Sequence, residues 1–305
     1  MSFDGDYEIY VKKMNAAFRA HDIYVEDGCF KFSDSALLAA RNGNWLGAVG
    51  DLKNSLERVL GKNLNSSHRF LKKPYVRDFR FDGGDGLSVA IINEQSLEWY
   101  GRDGAEHAFD FLLESKRGLF ANSKRYLDLG GHQMIWACYY ALQSDTTEVI
   151  SYEPSILNVA IGTFNCFING VIGKVDIIPF AVLASNASEG DENSKMLVDF
   201  MNMPLRGYRI DRMDDLKFDF IKTDIEGYEL DLLACPCYAR ILKHARYSHL
   251  ELHLGHLQGH GIGTDVWVNR LQAADLNGKE LYSGRDMFEF LSEASPKGFY
   301  SFILE

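Results

Sequence analysis

No stretch of about 18 apolar residues occurs, the length a helix needs to cross a bilayer, and no opening apolar run reads as a secretory signal. Cysteine is scarce: five residues, an odd number without framework spacing. Reduced thiols and a cytoplasmic location are therefore expected. Cys235-Pro236-Cys237 has a single intervening residue, which suits neither a redox pair nor a zinc knuckle. Positive charge is also short. The 32 Lys and Arg residues face 43 Asp and Glu, and the net charge of -11 argues against a nucleic-acid backbone as partner. There is no internal repeat and no low-complexity tract. What remains is an ordinary globular composition over 305 residues, enough to bury an α/β core and carry extra structure.

The two halves differ in rhythm. From residue 7 to about 60 apolar residues such as Leu37, Leu38, Trp45 and Val49 recur at three- and four-residue steps, which predicts helices. Ser33, Asp34 and Ser35 offer an N-cap. Alternating stretches at 75–81 and 87–92 flank the glycine-rich residues 82–86, which predicts a β-hairpin. Residues 105–116 look helical again. From Lys124 strand and helix alternate. Strands are expected at 125–129, 148–152, 175–180, 218–223 and 247–252, with helices over 132–142 and 156–167. Such alternation builds a doubly wound, mostly parallel sheet covered on both faces. Strands at 279–282 and 298–304 are expected to add an antiparallel edge pair. The division is expected near 118–123: a helical and hairpin accessory region over 1–118, and the α/β domain over 119–305.

Ligands of an open parallel sheet sit beyond the carboxyl ends of its strands. The first strand ends in Asp128-Leu129-Gly130-Gly131-His132, an acid followed by glycines that let backbone approach a nucleotide cofactor. The second ends in Glu153-Pro154, roughly 20 residues further on, where a carboxylate can accept both ribose hydroxyls. A dinucleotide loop would want glycines two and five positions after the first. Counting from Gly130 these are His132 and Ile135, and from Gly131 they are Gln133 and Trp136. The NAD fingerprint fails. The fourth strand runs through Lys222 into Asp224-Ile225-Glu226-Gly227-Tyr228-Glu229. Three carboxylates at a ligand rim want a positive partner, whether a sulfonium, a metal ion or Lys222. A helix dipole alone would account for Glu226 and Glu229, expected one turn apart at a helix start.

Asp224, Glu226, Gly227 and Glu229 match the Asp-x-Glu-Gly-x-Glu mark of the FkbM-like methyltransferases, which the chain resembles. The likeness extends to residues 126–131, to Tyr152-Glu153-Pro154 and to Leu250-Glu251-Leu252-His253, about the last 180 residues. It implies a class I, Rossmann-like methyltransferase fold, S-adenosyl-L-methionine as donor, and O-methylation of a sugar, glycan or natural-product hydroxyl. It further implies a donor site that includes Asp128, Gly130 and Glu153; Gly131, His132, Pro154, Phe180 and Ala181 are grouped with it. One departure is plain. Met134 stands where the family's loop has its last glycine, which leaves room for a relative that has lost the donor or uses another nucleotide.

The histidines cluster late, at 244, 249, 253, 256 and 260. His253 shares one strand face with Glu251 and is expected to serve with Asp224 and Glu226 in catalysis, as a general base or as a structural ring. The spacing matches no helical metal motif, so no metal is expected. The expected partner is a small-molecule or glycan acceptor, and a homo-oligomer is compatible with the sequence.

Overall fold

In a computed structural model of the chain, residues 2–23, 25, 30–61, 64, 68–81, 86–103, 109–116, 118–120, 122–143, 145–184, 207–213, 217–258 and 261–304 are described. The glycine-rich loop at 82–85, the start of the helix expected from residue 105, and His260 lie outside them. Eleven strands are present among the described residues: β1 (Phe70–Arg80), β2 (Gly86–Asn93), β3 (Arg125–Leu129), β4 (Glu148–Tyr152), β5 (Val175–Ile178), β6 (Ala181–Leu183), β7 (Gly207–Arg209), β8 (Phe220–Thr223), β9 (Tyr247–His253), β10 (Gly278–Glu280) and β11 (Phe299–Leu304). Seven form the central sheet in the order β10-β11-β9-β8-β3-β4-β5. β5, β4, β3, β8 and β9 are parallel, and β11 enters antiparallel between β9 and β10. This is the expected doubly wound sheet with its antiparallel edge. The chain builds outward from β3 through β4 to β5, then returns to lay β8 on the other side of β3. That reversal opens a crevice beyond the carboxyl ends of β3 and β8.

Alternate residues of each strand serve different cores. Leu127, Leu129, Ile221, Leu250, Leu252, Phe302 and Leu304 face a core closed by the helices Glu229–Leu233, Pro236–His244, Thr264–Ala273 and Met287–Glu293. Tyr126, Val149, Phe220 and Ile303 face the other core, covered by Ile135–Leu142, Ile156–Ile168 and described residues of the N-terminal region from Tyr10 to Phe120. There Tyr10, Phe32, Trp45, Phe164 and Phe167 interlock as an aromatic cluster. Leu38, expected on an apolar face, is 63% exposed.

Some boundaries differ from expectation. β5 stops at Ile178 because Pro179 has no N–H for the ladder, and 181–183 pairs instead with β7. The helix expected from His132 begins at Ile135, since His132 and Met134 both have positive φ. No helix of the described residues is long and apolar enough to cross a membrane.

Two asparagines tie the hairpin β1–β2 to the α/β core. Buried Asn165 accepts from Ala90 N at 2.8 Å and donates to the Gln133 carbonyl at 2.9 Å. Asn169 accepts from Ser88 N and donates to its carbonyl. Replacing Asn165 with Ala orphans a buried N–H and a buried carbonyl, each costing about 1–3 kcal/mol. Asn165→Ala should lower the urea midpoint accordingly, and an unchanged midpoint would refute this coupling of hairpin and core.

Candidate active site

The loop after β3 is shaped by contact with the loop after β8. Gly130 has φ +87°, and a Cβ there would lie 1.7 Å from the Asp224 carbonyl oxygen, so only glycine fits. Its N–H and that of Gly131 both donate to the Tyr152 carbonyl, turning the chain over the end of β4. Met134 adopts φ +59° and is wholly buried. Its side chain fills the space beside Gly162, where a Cβ would lie 2.2 Å from Met134 Cγ. The glycine missing from the loop is thus compensated by one on the helix behind it.

Glu153 is buried at the end of β4. Its Oε2 accepts from His132 N at 2.8 Å, and its Oε1 accepts from Ser155 N at 2.8 Å and from Asn158 Nδ2 at 3.4 Å. Burial pushes its pKa up to about 7 against those hydrogen bonds. His132 faces Tyr100, whose hydroxyl is 3.0 Å from His132 Nδ1, and it lies beside Trp99, 54% exposed. Burial brings the His132 pKa down to about 4. Pro154 follows Glu153 in the chain, Glu153 N and Phe180 N both donate to the Ile178 carbonyl, and Ala181 opens β6 beside Gly207.

Lys222 lies at the centre of the crevice floor, its side chain 2% exposed. Its ammonium donates to Asp224 Oδ2 at 3.0 Å and to the Gly130 carbonyl at 3.1 Å, and stands 3.6 Å from Asp128 Oδ1. Burial pushes its pKa down, but Asp224 and Asp128 together outweigh this and raise it. Asp128 is fully buried and accepts from Ser151 Oγ at 2.7 Å. It therefore braces Lys222 from beneath the loop. For Asp224 the burial penalty is overcome by Lys222 and His253, which leave its pKa low.

Beyond Asp224 the chain does not enter a helix at once. Glu226 sits at φ +59° and Gly227 at φ +103°. Buried Glu229 folds this turn by accepting from Ile225 N at 2.7 Å and Gly227 N at 2.8 Å. The helix starts at Glu229, so Glu226 and Glu229 do not share a helix face as expected. Glu226 points outward from the turn.

His253 joins these acids. Its Nδ1 is 3.2 Å from Glu229 Oε1, and its Nε2 is 3.6 Å from Asp224, 3.6 Å from Glu226 and 3.5 Å from Glu251. Burial pulls the imidazolium down, yet Glu229, Asp224 and Glu226 outweigh it and hold the pKa up at about 9. The three expected catalytic residues are therefore one cluster, with His253 as its cation at neutral pH. Exposed Phe299 and His256 both stack against His253. Sequence reasoning had little hold on Asp110, Glu114 and His249, which reach the same face. The one signal was the alternation His249-x-Glu251-x-His253.

A folded-state pKa above the unfolded value stabilises below about 6.5 and ceases to do so as pH rises through about 9. Unfolding free energies of wild type and His253→Gln, measured in EDTA buffer, should differ by on the order of 3 kcal/mol near pH 6 and converge above pH 9. A gap constant from pH 6 to 10 would mean that His253 is not the cation of this cluster.

The model of the family described as "Methyltransferase FkbM domain" matches residues 128–294. No curated protein matches. Among solved structures, the fibrillarin pre-rRNA processing protein of Methanococcus jannaschii is similar at 11% identity and TM-score 0.39, over 75% of this chain and 81% of its own. An O-methyltransferase from Bacillus cereus in complex with SAH is similar at 14% identity and TM-score 0.37, over 69% of this chain and 84% of its own. At such scores neither carries an argument about chemistry.

Proposed function

The chain belongs to the FkbM methyltransferase family, and on that premise we propose that it methylates a hydroxyl of a sugar, glycan or natural-product acceptor. The methyl donor is S-adenosylmethionine. The observation that supports the placement of the donor is Glu153, held at the end of β4 against the turn at Gly130–Gly131 and still carrying a free lone pair after accepting from His132 N, Ser155 N and Asn158 Nδ2. Glu153, Asp128 and Asp224 are acids, which suits a cationic donor with a ribose diol. When bound, the donor supplies a sulfonium methyl, already on a good leaving group. The protein's contribution is then mainly alignment.

In this reading Glu153 accepts the ribose hydroxyls, and Gly130, Gly131, His132, Pro154, Phe180 and Ala181 line the donor side. Lys222 keeps Asp224 ionised, so Asp224 serves as a fixed negative charge at the crevice. Glu226 is the better proton acceptor, because it points outward from the turn and its pKa is raised, whereas Asp224 is paired with Lys222 and its pKa is lowered. His253 orients both carboxylates, since as an imidazolium it has no lone pair to offer. The exposed aromatics Trp99, Phe299 and Tyr282 offer apolar faces to a hydroxyl-rich acceptor. Residues 1–118 act as the accessory region that shapes this acceptor side, and the enzyme works in the cytoplasm, its thiols reduced. A second reading, a sheet that has lost its donor, is favoured only by Met134 and its positive φ.

Titration calorimetry decides between them. S-adenosylhomocysteine should bind and NAD should not. Because the ionised Glu153 is the acceptor, affinity should fall as pH drops through about 7, by up to about tenfold per pH unit. Glu153→Gln should lose about tenfold or more in affinity at pH 8 and the pH dependence with it. Absence of binding by the folded wild type sinks the donor assignment, and an unaltered Glu153→Gln sinks the role of Glu153. With labelled donor and a panel of hydroxyl-bearing sugars, Glu226→Gln should reduce turnover by roughly 10²–10⁴-fold. Full turnover in that variant would remove Glu226 as the base.

A further inference from the structure

Next to the cluster around His253, on the same face of the sheet, His249 is completely buried on β9. Its Nδ1 lies 2.6 Å from Oε1 of Glu114, which is also completely buried. A carboxylate can only accept, so the ring hydrogen belongs on Nδ1, and in the neutral ring Nε2 presents a lone pair. That nitrogen has no hydrogen-bond partner among the described residues. It faces Asp110, whose Oδ2 is 4.0 Å away. One donor atom from each of Asp110, His249 and Glu251 lies within 4.8 Å of the other two. Asp110 is itself held in place: its Oδ1 accepts from the Tyr282 hydroxyl and its Oδ2 from Ser301 Oγ at 2.9 Å.

We propose that Asp110, His249 and Glu251 form a binding site for one divalent transition-metal ion, with Glu114, Tyr282 and Ser301 orienting the ligands. An imidazole backed by a carboxylate, and a carboxylate backed by hydroxyls, are the outer supports that metal ligands ordinarily carry. Charge points the same way. Three acids, Asp110, Glu114 and Glu251, surround one imidazole on a buried face, and Lys222 is already paired with Asp224 and Asp128. Burying such an excess without a cation is costly. One nitrogen and two carboxylate oxygens suit manganese, iron or zinc better than calcium, whose ligands are all oxygen.

Ligand atoms on a tetrahedral ion with bonds near 2.1 Å stand about 3.4 Å apart, so the site closes by roughly 1 Å on loading. Glu251, with its side chain 17% exposed, is the arm free to move. Three protein ligands leave an open position, the mark of a catalytic rather than a structural ion. Asp224, Glu229 and His253 are equally close together. They make a poorer site, because Glu229 is committed to the N–H groups of Ile225 and Gly227. The ion site stands apart from the donor assignment and is testable without turnover.

The full-length protein, stripped with EDTA and returned to chelator-free buffer, is titrated with Mn²⁺ by calorimetry. One equivalent should bind. Asp110→Asn and Glu251→Gln should each weaken it at least tenfold, while Asp224→Asn should change it by less than about threefold. His249→Gln should alter the visible spectrum of the Co²⁺-loaded protein; should that variant fail to fold, the two carboxylate variants decide. No saturable binding, binding unchanged in both carboxylate variants, or binding lost only in Asp224→Asn overturns the site. S-adenosylhomocysteine affinity measured in EDTA keeps the outcomes separate: donor binding without Mn²⁺ binding sinks the ion site alone, and the converse sinks the donor reading alone.

Discussion

Everything at the open end of the sheet depends on one buried ammonium. Lys222 projects from β8 onto a face where no water can compensate its charge, and it is held by Asp224, Asp128 and the Gly130 carbonyl. These partners come from the ends of two adjacent strands and from the tight turn that follows β3. The ion pair therefore fixes the separation of the two loops that border the crevice. Removing one member of such a buried group typically costs about 3–5 kcal/mol, because the remaining charges are left uncompensated. Trp136 adds its ring 5.1 Å from the ammonium, which roofs the site without offering a competing hydrogen bond.

The two faces of the sheet divide the work. One is mostly apolar, with Thr223 and Ser248 hydrogen-bonded to the C-terminal helices that close it. The other carries a polar belt at the strand ends: Ser151, Asp128, Lys222 and His249 in register, then Glu251 opposite Ser301. The N-terminal half and Trp136 together cover that belt. The N-terminal half does so with acids that accept hydrogen bonds from the belt, Glu114 from His249 and Asp110 from Ser301. The same half supplies apolar cover through helix Phe3–Ala20, packed on Ile156–Ile168. One contact surface therefore both closes the core and covers the polar belt.

The loop after β3 shows how local strain is carried. His132 and Met134 both take left-handed backbone, at a cost of about 1 kcal/mol or more each. Glu153 holds the first through its N–H, and Gly162 yields space to the side chain of the second. The turn after β8 is held in the same manner by Glu229. In both loops a buried carboxylate stands in for backbone partners that an irregular turn cannot find.

What the sequence alone determined is whatever rests on periodicity and on residues near one another in the chain. The strand rhythm after Lys124, the glycine turn after Asp128, the acid ending β4 and the Asp224–Glu229 motif were legible because each is a local pattern. The ends of elements were less so: Pro179 cuts β5 short, and Glu226 falls outside the helix because Glu229 turns inward to bind backbone. The identity of the cation among the acids was decided by tertiary structure. Lys222 was legible beside Asp224, but its second partner Asp128 comes from another strand, and His253 owes its raised pKa to Glu229, Asp224 and Glu226 from the turn after β8, which no spacing in the chain records. Asp110 and Glu114 lie more than a hundred residues from His249 and met it only when the N-terminal half closed over the sheet. Electrostatics depends on distance through space, and sequence records distance along the chain.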